Sequence, residues 1–156
     1  MAVTLDRVRT LDDVRYVCNN LRADDAAEVF ALSNHDNPNL LAQEVIGYWG
    51  ELMWVAKLHG EPVALFGALN MWPGVWSAWL IATDEFPAVG LSVTKFIHRE
   101  VIPLLKEKGA HRCEARSMST HTWSHEWLKS LGAVEEATLI GYGKGKEDFL
   151  VYRLKL

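Results

Sequence analysis

The sequence predicts one α/β (α+β) domain in which a single mixed sheet is flanked by helices. Three observations predict it. About six to seven segments carry strand signals, either apolar alternation of period two or short apolar runs bounded by turns. Helical periodicity separates them in blocks of ordinary length, and no Ser- or Pro-rich linker, internal repeat or low-complexity tract marks a boundary. The length of 156 residues suits one core, since a chain of about 150 residues buries roughly 68–70% of its unfolded surface.

The first strand is read at Val3 to Arg9, where Val, Leu and Val alternate with Thr, Asp and Arg. Thr10 then caps a helix to Leu21, with Asp12 and Asp13 in its first turn and Leu11, Val14, Val17, Cys18 and Leu21 along one face. Asp24 or Asp25 caps a second helix through Leu32, and Asn39 a third through Trp49; the stretch NHDNPN between them is turn chemistry. LMWVAKL, a His59-Gly60 turn and PVALFGAL form an apolar hairpin. MWPGVW is read as a loop and VWSAWLIAT, 75 to 83, as a further strand. The stretch DEFPAVGL leads into a long helix from about Ser92 to Lys108, ended by Gly109. A short strand from His111 to Arg116, a helix from Thr120 to Leu131 stopped by Gly132, and a hairpin of Val134 to Ile140 with Phe149 to Leu154 complete the order.

Composition excludes several classes. Seven Trp and five Phe in a chain that is 49% hydrophobic argue for a packed core and against disorder. A formal charge of −4 gives no general attraction to nucleic acid or to an anionic membrane. Cys18 and Cys113 form no paired metal motif and read as reduced core thiols. With no apolar window near the ~20 residues that span a bilayer and no signal-like N-terminus, the expected location is the cytoplasm.

The stretch Leu80 to Ser92, LIATDEFPAVGLS, runs from an apolar strand through a loop to a helix start, where unpaired N–H groups and the positive end of a helix dipole favour an anion. It resembles the part of the GNAT acetyltransferase family that holds acetyl-CoA, a strand followed by an Arg/Gln-Gly-x-Gly-x-Gly/Ala loop. Gly90 falls on the central glycine, whereas Pro87, Ala88 and Ser92 depart from the pattern. HTWSHEWLKSLGAV, 121 to 134, resembles the family's late Asn-x-x-Ala-x-x-x-Tyr-x-x-x-Gly-Phe helix. Ser124 takes the Ala position, Trp127 an aromatic one and Gly132 the Gly, but His121 replaces Asn and Leu128 stands at the Tyr that often protonates the departing thiolate. The resemblance implies a GNAT-like, mostly antiparallel sheet. It also implies acetyl-CoA as cofactor, held by Leu80, Ile81 and Ala82 along the pantetheine arm and by Val89, Gly90, Leu91 and Ser92 at the pyrophosphate. The acceptor would be an amine of a small molecule or protein.

VRTLDDV, ADDAAEV, WLIATDEFPA and WLKSLGAV further resemble GNAT-related proteins of tailed bacteriophages of the internal virion or assembly type. That resemblance implies a host-cytoplasmic or virion location and admits a non-catalytic alternative, favoured by Pro87 and Leu128. Either Asp84 or Glu85, at the end of the central strand, offers a general base for an amine, or both are solvated loop charges. Ser119, after the fifth strand, offers a hydroxyl near the thioester, or either Ser119 or Thr120 caps the next helix. His121 and His125 stand four apart, but with no third ligand in view no metal is expected. His35 with Asp36, His98 and the Lys106 to Arg116 basic cluster read as surface, GYGKGKED as a flexible turn, and Trp79 as core.

Overall fold

A computed structural model describes residues 2–156. Its sheet has seven strands: β1 Val3–Arg7, β2 Leu52–Leu58, β3 Glu61–Trp72, β4 Val75–Ala82, β5 Arg112–Met118, β6 Val134–Leu139 and β7 Phe149–Leu154. Their spatial order is β1-β2-β3-β4-β5-β7-β6, with every pairing antiparallel except β4 with β5. The mixed, mostly antiparallel sheet expected from the sequence is thus present. The helices are α1 Leu11–Asn19, α2 Ala23–Ala31, α3 Pro38–Glu44, α4 Gly90–Phe96, α5 Ile102–Glu107 and α6 Thr122–Ser130.

The two sheet faces bury different helices because alternate strand side chains point oppositely. One core joins Trp54, Phe66 and Trp76 to Val93, Ile97, Val101 and Leu105 of the α4–α5 run and to Leu128 of α6. The other joins Val55, Leu65 and Ile81 to Val14, Val17 and Cys18 of α1 and Leu41 of α3.

Local chemistry explains most boundaries. His59 and Gly60 both take positive φ, at 50° and 82°, which lets two residues close the β2–β3 hairpin. The loop expected at MWPGVW shrinks to Pro73-Gly74, since β3 runs to Trp72 and Gly74 supplies a φ of 83°. Asn37, not Asn39, caps α3: its side chain accepts from the amides of Asn39 and Leu40, and Pro38 takes the first helical position. The long helix starts at Gly90, two residues before its expected start, and contains a π-helical stretch over Ile97–Val101. Pro103 accounts for it, because a proline has no N–H for the preceding turn and crowds the carbonyl four residues back, at Arg99.

At Gly67 of β3, a Cβ would stand 2.1 Å from the Leu52 carbonyl oxygen and 3.0 Å from the Trp79 ring. Backbone on one side and an indole on the other leave nothing free to yield. Gly67→Ala is therefore expected to destabilise the chain by about 3 kcal/mol, read as a lower urea midpoint at an unchanged m-value.

Candidate functional site

The ladder between β4 and β5 is short. Val75, Trp76 and Ser77 pair with Arg112, Cys113 and Glu114, and beyond Ser77 the two strands part. β4 remains paired with β3 along its other edge as far as Ala82. The backbone of β4 past Ser77 therefore faces a gap in the sheet.

The far end of this gap is held by the start of α2. The Arg22 amide donates to the Ala82 carbonyl at 2.9 Å, Leu21 bridges to Thr83, and the Asp25 carboxylate accepts from the Ala82 amide at 2.8 Å. Both polar atoms of Ala82 thus point away from β3. By strand alternation Ile81 directs its own toward β3, and Leu80 presents its N–H and C=O to the gap. Of the three residues expected along a pantetheine arm, only Leu80 offers a free backbone edge; Ala82 is taken by α2 and Ile81 by β3.

A buried polar cluster lines the gap. Arg22 Nη2 lies 2.9 Å from both Asp25 oxygens. His121 Nδ1 is 2.7 Å from Glu28 Oε2, its Nε2 is 3.5 Å from Asp25 Oδ1, and Glu28 Oε1 accepts from the Met118 amide at 2.7 Å. Asp25 and His121 are only 2% and 3% exposed, so these charges sit in a low dielectric and depend on one another. Burial pushes the Asp25 carboxyl up, opposed by the Arg22 charge and by its hydrogen bonds from Arg22 and Ala82. At His121 burial works against the proton, but the Glu28 hydrogen bond and the charges of Glu28 and Asp25 outweigh it and hold the imidazole above its ordinary range.

Two cavities meet at this cluster. One, of about 90 Å³, lies on the α4–α6 side between Leu80, Ile97, Cys113, His121, Trp123 and Leu128. The other, of about 280 Å³, lies on the α2–α3 side between Glu28, Glu44, Trp49, Trp79, Arg116 and Tyr142. Asp25, Glu28, Ala78, Trp79, Leu80 and Arg116 line both, so the open edge of β4 is reached from either face of the sheet.

The expected anion site is only partly open. Val89 is fully buried and its amide donates to the Phe86 carbonyl at 2.9 Å, so it is not a free donor. The first-turn amides of Gly90, Leu91 and Ser92 have no partner within the helix, and Leu91 is 69% exposed. The Cβ direction at Gly90 meets the Phe86 ring at 3.3 Å, so glycine there makes room for an aromatic side chain. Phe86 in turn packs edge-on against Trp123 and Trp127. The Arg22 guanidinium lies between Phe86 and Trp123, 4.9 and 4.8 Å from their centroids, and brings a cation to the junction where Pro87 brings none.

The other expected residues fall at different distances from this centre. Asp84 and Glu85 sit in the exposed turn after β4 and line neither cavity. Ser119, in the turn after β5, gives its amide to the Asp148 carbonyl at 2.8 Å and lines neither cavity. His125 turns away from His121 and bonds the Met118 carbonyl at 2.9 Å. Asp25 is a buried member of the cluster rather than the cap of α2, whose cap residue is Arg22. Burial pushes both Cys18 and Cys113 up to about 12. Cys113 stands at the apex of the gap, where the Ala78 amide reaches its sulfur.

No protein-family model and no curated protein matches the chain. Solved structures match it in fold over its whole length. YncA from Salmonella typhimurium, in a structure that holds its cofactor acetyl-CoA, aligns with a TM-score of 0.76 at 15% identity, covering 100% of this chain and 95% of that one. Ard1 from Thermoplasma volcanium aligns at 0.73 and 18% identity, covering 100% and 99%. The ribosomal-protein-S18-alanine N-acetyltransferase from Escherichia coli aligns at 0.70 and 15% identity, covering 98% and 93%. The chain has the GNAT-like α/β fold these structures share.

Asp25→Ala leaves the 14%-exposed Arg22 side chain without its counter-charge and is expected to cost about 3–5 kcal/mol in chemical denaturation. His121 binds its proton more tightly folded than unfolded, so its stabilisation is fully present below 6.5 and fades as pH rises through the raised folded value. The stability difference between the unaltered chain and His121→Gln should accordingly shrink with rising pH in that window. A difference that grows instead would contradict a protonated imidazole.

Proposed function

We propose that this chain is an acetyl-CoA-dependent N-acyltransferase that transfers an acetyl group directly to an amine. The observation that carries the reading is the gap beyond Ser77, where the free edge of Leu80 and the half-buried Glu28 carboxylate are reached from both faces of the sheet. YncA, of the same fold, is solved with acetyl-CoA, which supports the same cofactor here.

Acetyl-CoA would supply an acyl thioester already activated toward an amine. The amides of Gly90, Leu91 and Ser92 face its diphosphate, with Arg22 as the neighbouring cation. Leu80 aligns the pantetheine arm and acyl group through its backbone edge, as an added strand would be aligned. The acceptor enters from the α2–α3 side, where Glu28 takes the proton its nitrogen loses on forming the amide bond. His121, whose proton the Glu28 hydrogen bond helps to retain, stands on the cofactor side and donates to the leaving thiolate, a task for which the buried Leu128 has no proton. The Nδ1–H of His121 stays on the Glu28 carboxylate at 2.7 Å, and the two groups reset by exchange with water, Glu28 giving up the acceptor's proton and His121 Nε2 taking one back. Base chemistry is thereby assigned to Glu28 rather than to Asp84 or Glu85, and the proton donor is His121 rather than Ser119. Covalent catalysis is not required, because direct attack depends on orientation and deprotonation.

Pro87 and Leu128 favour a second reading, a non-catalytic assembly or host-interaction protein of bacteriophage type, with exposed Trp72 as an interface anchor. Calorimetry separates the two. Saturable heat with acetyl-CoA and a raised melting temperature are expected for the transferase, and neither at millimolar cofactor would remove it. Glu28→Gln is expected to lower kcat roughly 10²–10⁴-fold while leaving acetyl-CoA affinity intact.

A further inference from the structure

The α2–α3-side cavity carries a charge that its own surroundings leave over. Across the β5-β7-β6 sheet runs a chain of ion pairs. Arg153 Nε contacts Glu136 at 2.9 Å, Glu136 takes two bonds from Arg112 at 2.7 and 3.1 Å, and Arg112 contacts Glu114 at 2.8 Å. The other Glu114 oxygen accepts from Arg116 Nη2 at 2.8 Å. Three guanidiniums thus share two carboxylates, and the surplus positive charge lies with the chain as a whole. The other charges on the cavity wall are paired elsewhere: Asp25 and Glu28 with Arg22 and His121, and Glu44 with His35.

Arg116 is the member of that chain lining the cavity. Its Nε is buried and has no hydrogen-bond partner among the described residues. A buried guanidinium N–H without an acceptor costs stability, and an anion in the cavity meets the guanidinium at the nitrogens that still face it, at charge-assisted strength. Tyr142 covers the guanidinium at 5.8 Å. Two residues along the same strand, the Met118 amide anchors the Glu28 carboxylate. A two-residue step is roughly 7 Å, short enough for one small molecule to span from Arg116 to Glu28. The volume of about 280 Å³ lies just below the roughly 300–1,000 Å³ usual for small-molecule clefts. Trp49, Trp79 and Phe149 supply apolar wall.

We propose that the acceptor is a free amino acid, an amine bearing its own carboxylate, seated with the carboxylate on Arg116 and the amine toward Glu28. This rests on the acyltransferase reading and adds to it the substrate class. Once seated, the amine forms the new C–N bond as the C–S bond breaks, and its surplus proton passes to Glu28.

The test compares phenylalanine, methionine and leucine with their carboxamides as acceptors of acetyl from acetyl-CoA. The unaltered chain is expected to favour the free acids roughly ten- to a hundredfold in kcat/KM. At neutral pH that preference runs against amine availability, since the carboxamides hold the less basic amine. Arg116→Gln should abolish it and Arg116→Lys retain part of it. Carboxamides or peptide N-termini acetylated as well as the acids, with acetyl-CoA bound normally, would overturn the proposal and leave the acyltransferase reading standing. Saturation-transfer NMR of the same acids and carboxamides with desulfo-CoA present reads the cavity without turnover. If no amine is acetylated the transferase reading falls, selective binding of the acids still supports a carboxylate seat at Arg116, and equal binding overturns it. Because the acid and carboxamide comparison needs no variant, a folding defect in Arg116→Gln does not decide the outcome.

Discussion

The two hydrogen bonds that α2 makes to Ala82, one from the Arg22 amide and one to the Asp25 carboxylate, keep the end of β4 from closing onto β5. Two neighbouring parallel strands would ordinarily continue their ladder, because each added pair satisfies a donor and an acceptor. Here the last residue of β4 is satisfied by a helix instead, and the ladder stops at Ser77. The cavities, the free edge of Leu80 and the meeting of Glu28 with His121 all follow from that parting.

The arrangement stores charge in a dry place. Asp25 is 2% exposed and would be costly ionised and alone, yet it has Arg22 on one side, a backbone N–H on another and His121 nearby. Removing any one partner strands the others. The cluster accordingly locks α2 and the turn before α6 to the sheet as well as bringing titratable groups to the gap.

The order of elements was legible because it rests on local patterns: period-two alternation in β1, the positive-φ pair His59-Gly60, and the apolar face of α1. The long helix reads as unbroken from about Ser92 to Lys108, and its pattern anticipates neither Pro103 nor the π-helical stretch that absorbs it. The site was legible only in outline. Asp25 and Glu28 are three apart on one helix face, the face that also carries the buried Ala31; in sequence Asp25 reads as a candidate cap, and Glu28 is not singled out. Glu28 and His121 are 93 positions apart, and no local pattern joins them. Asp84 and Glu85 drew attention because they end the central strand, but a strand end marks only where a site lies, and the inward-facing acids came from another element. The Arg/Gln-to-Pro change at 87 looked like a lost cation, whereas Arg22, 65 positions earlier, approaches the same junction from across the fold.

Three residue pairs between Val75–Ser77 and Arg112–Glu114 join the two leaves of the sheet at one end, and α2, bonded to Ala82 and to Met118, joins them at the other. Leu80 and Arg116 stand between these two junctions, where the leaves are unsupported by each other. Anything lodged between them acts as a wedge, and its thickness is transmitted to α2 through Ala82 and to the β6–β7 hairpin through β5.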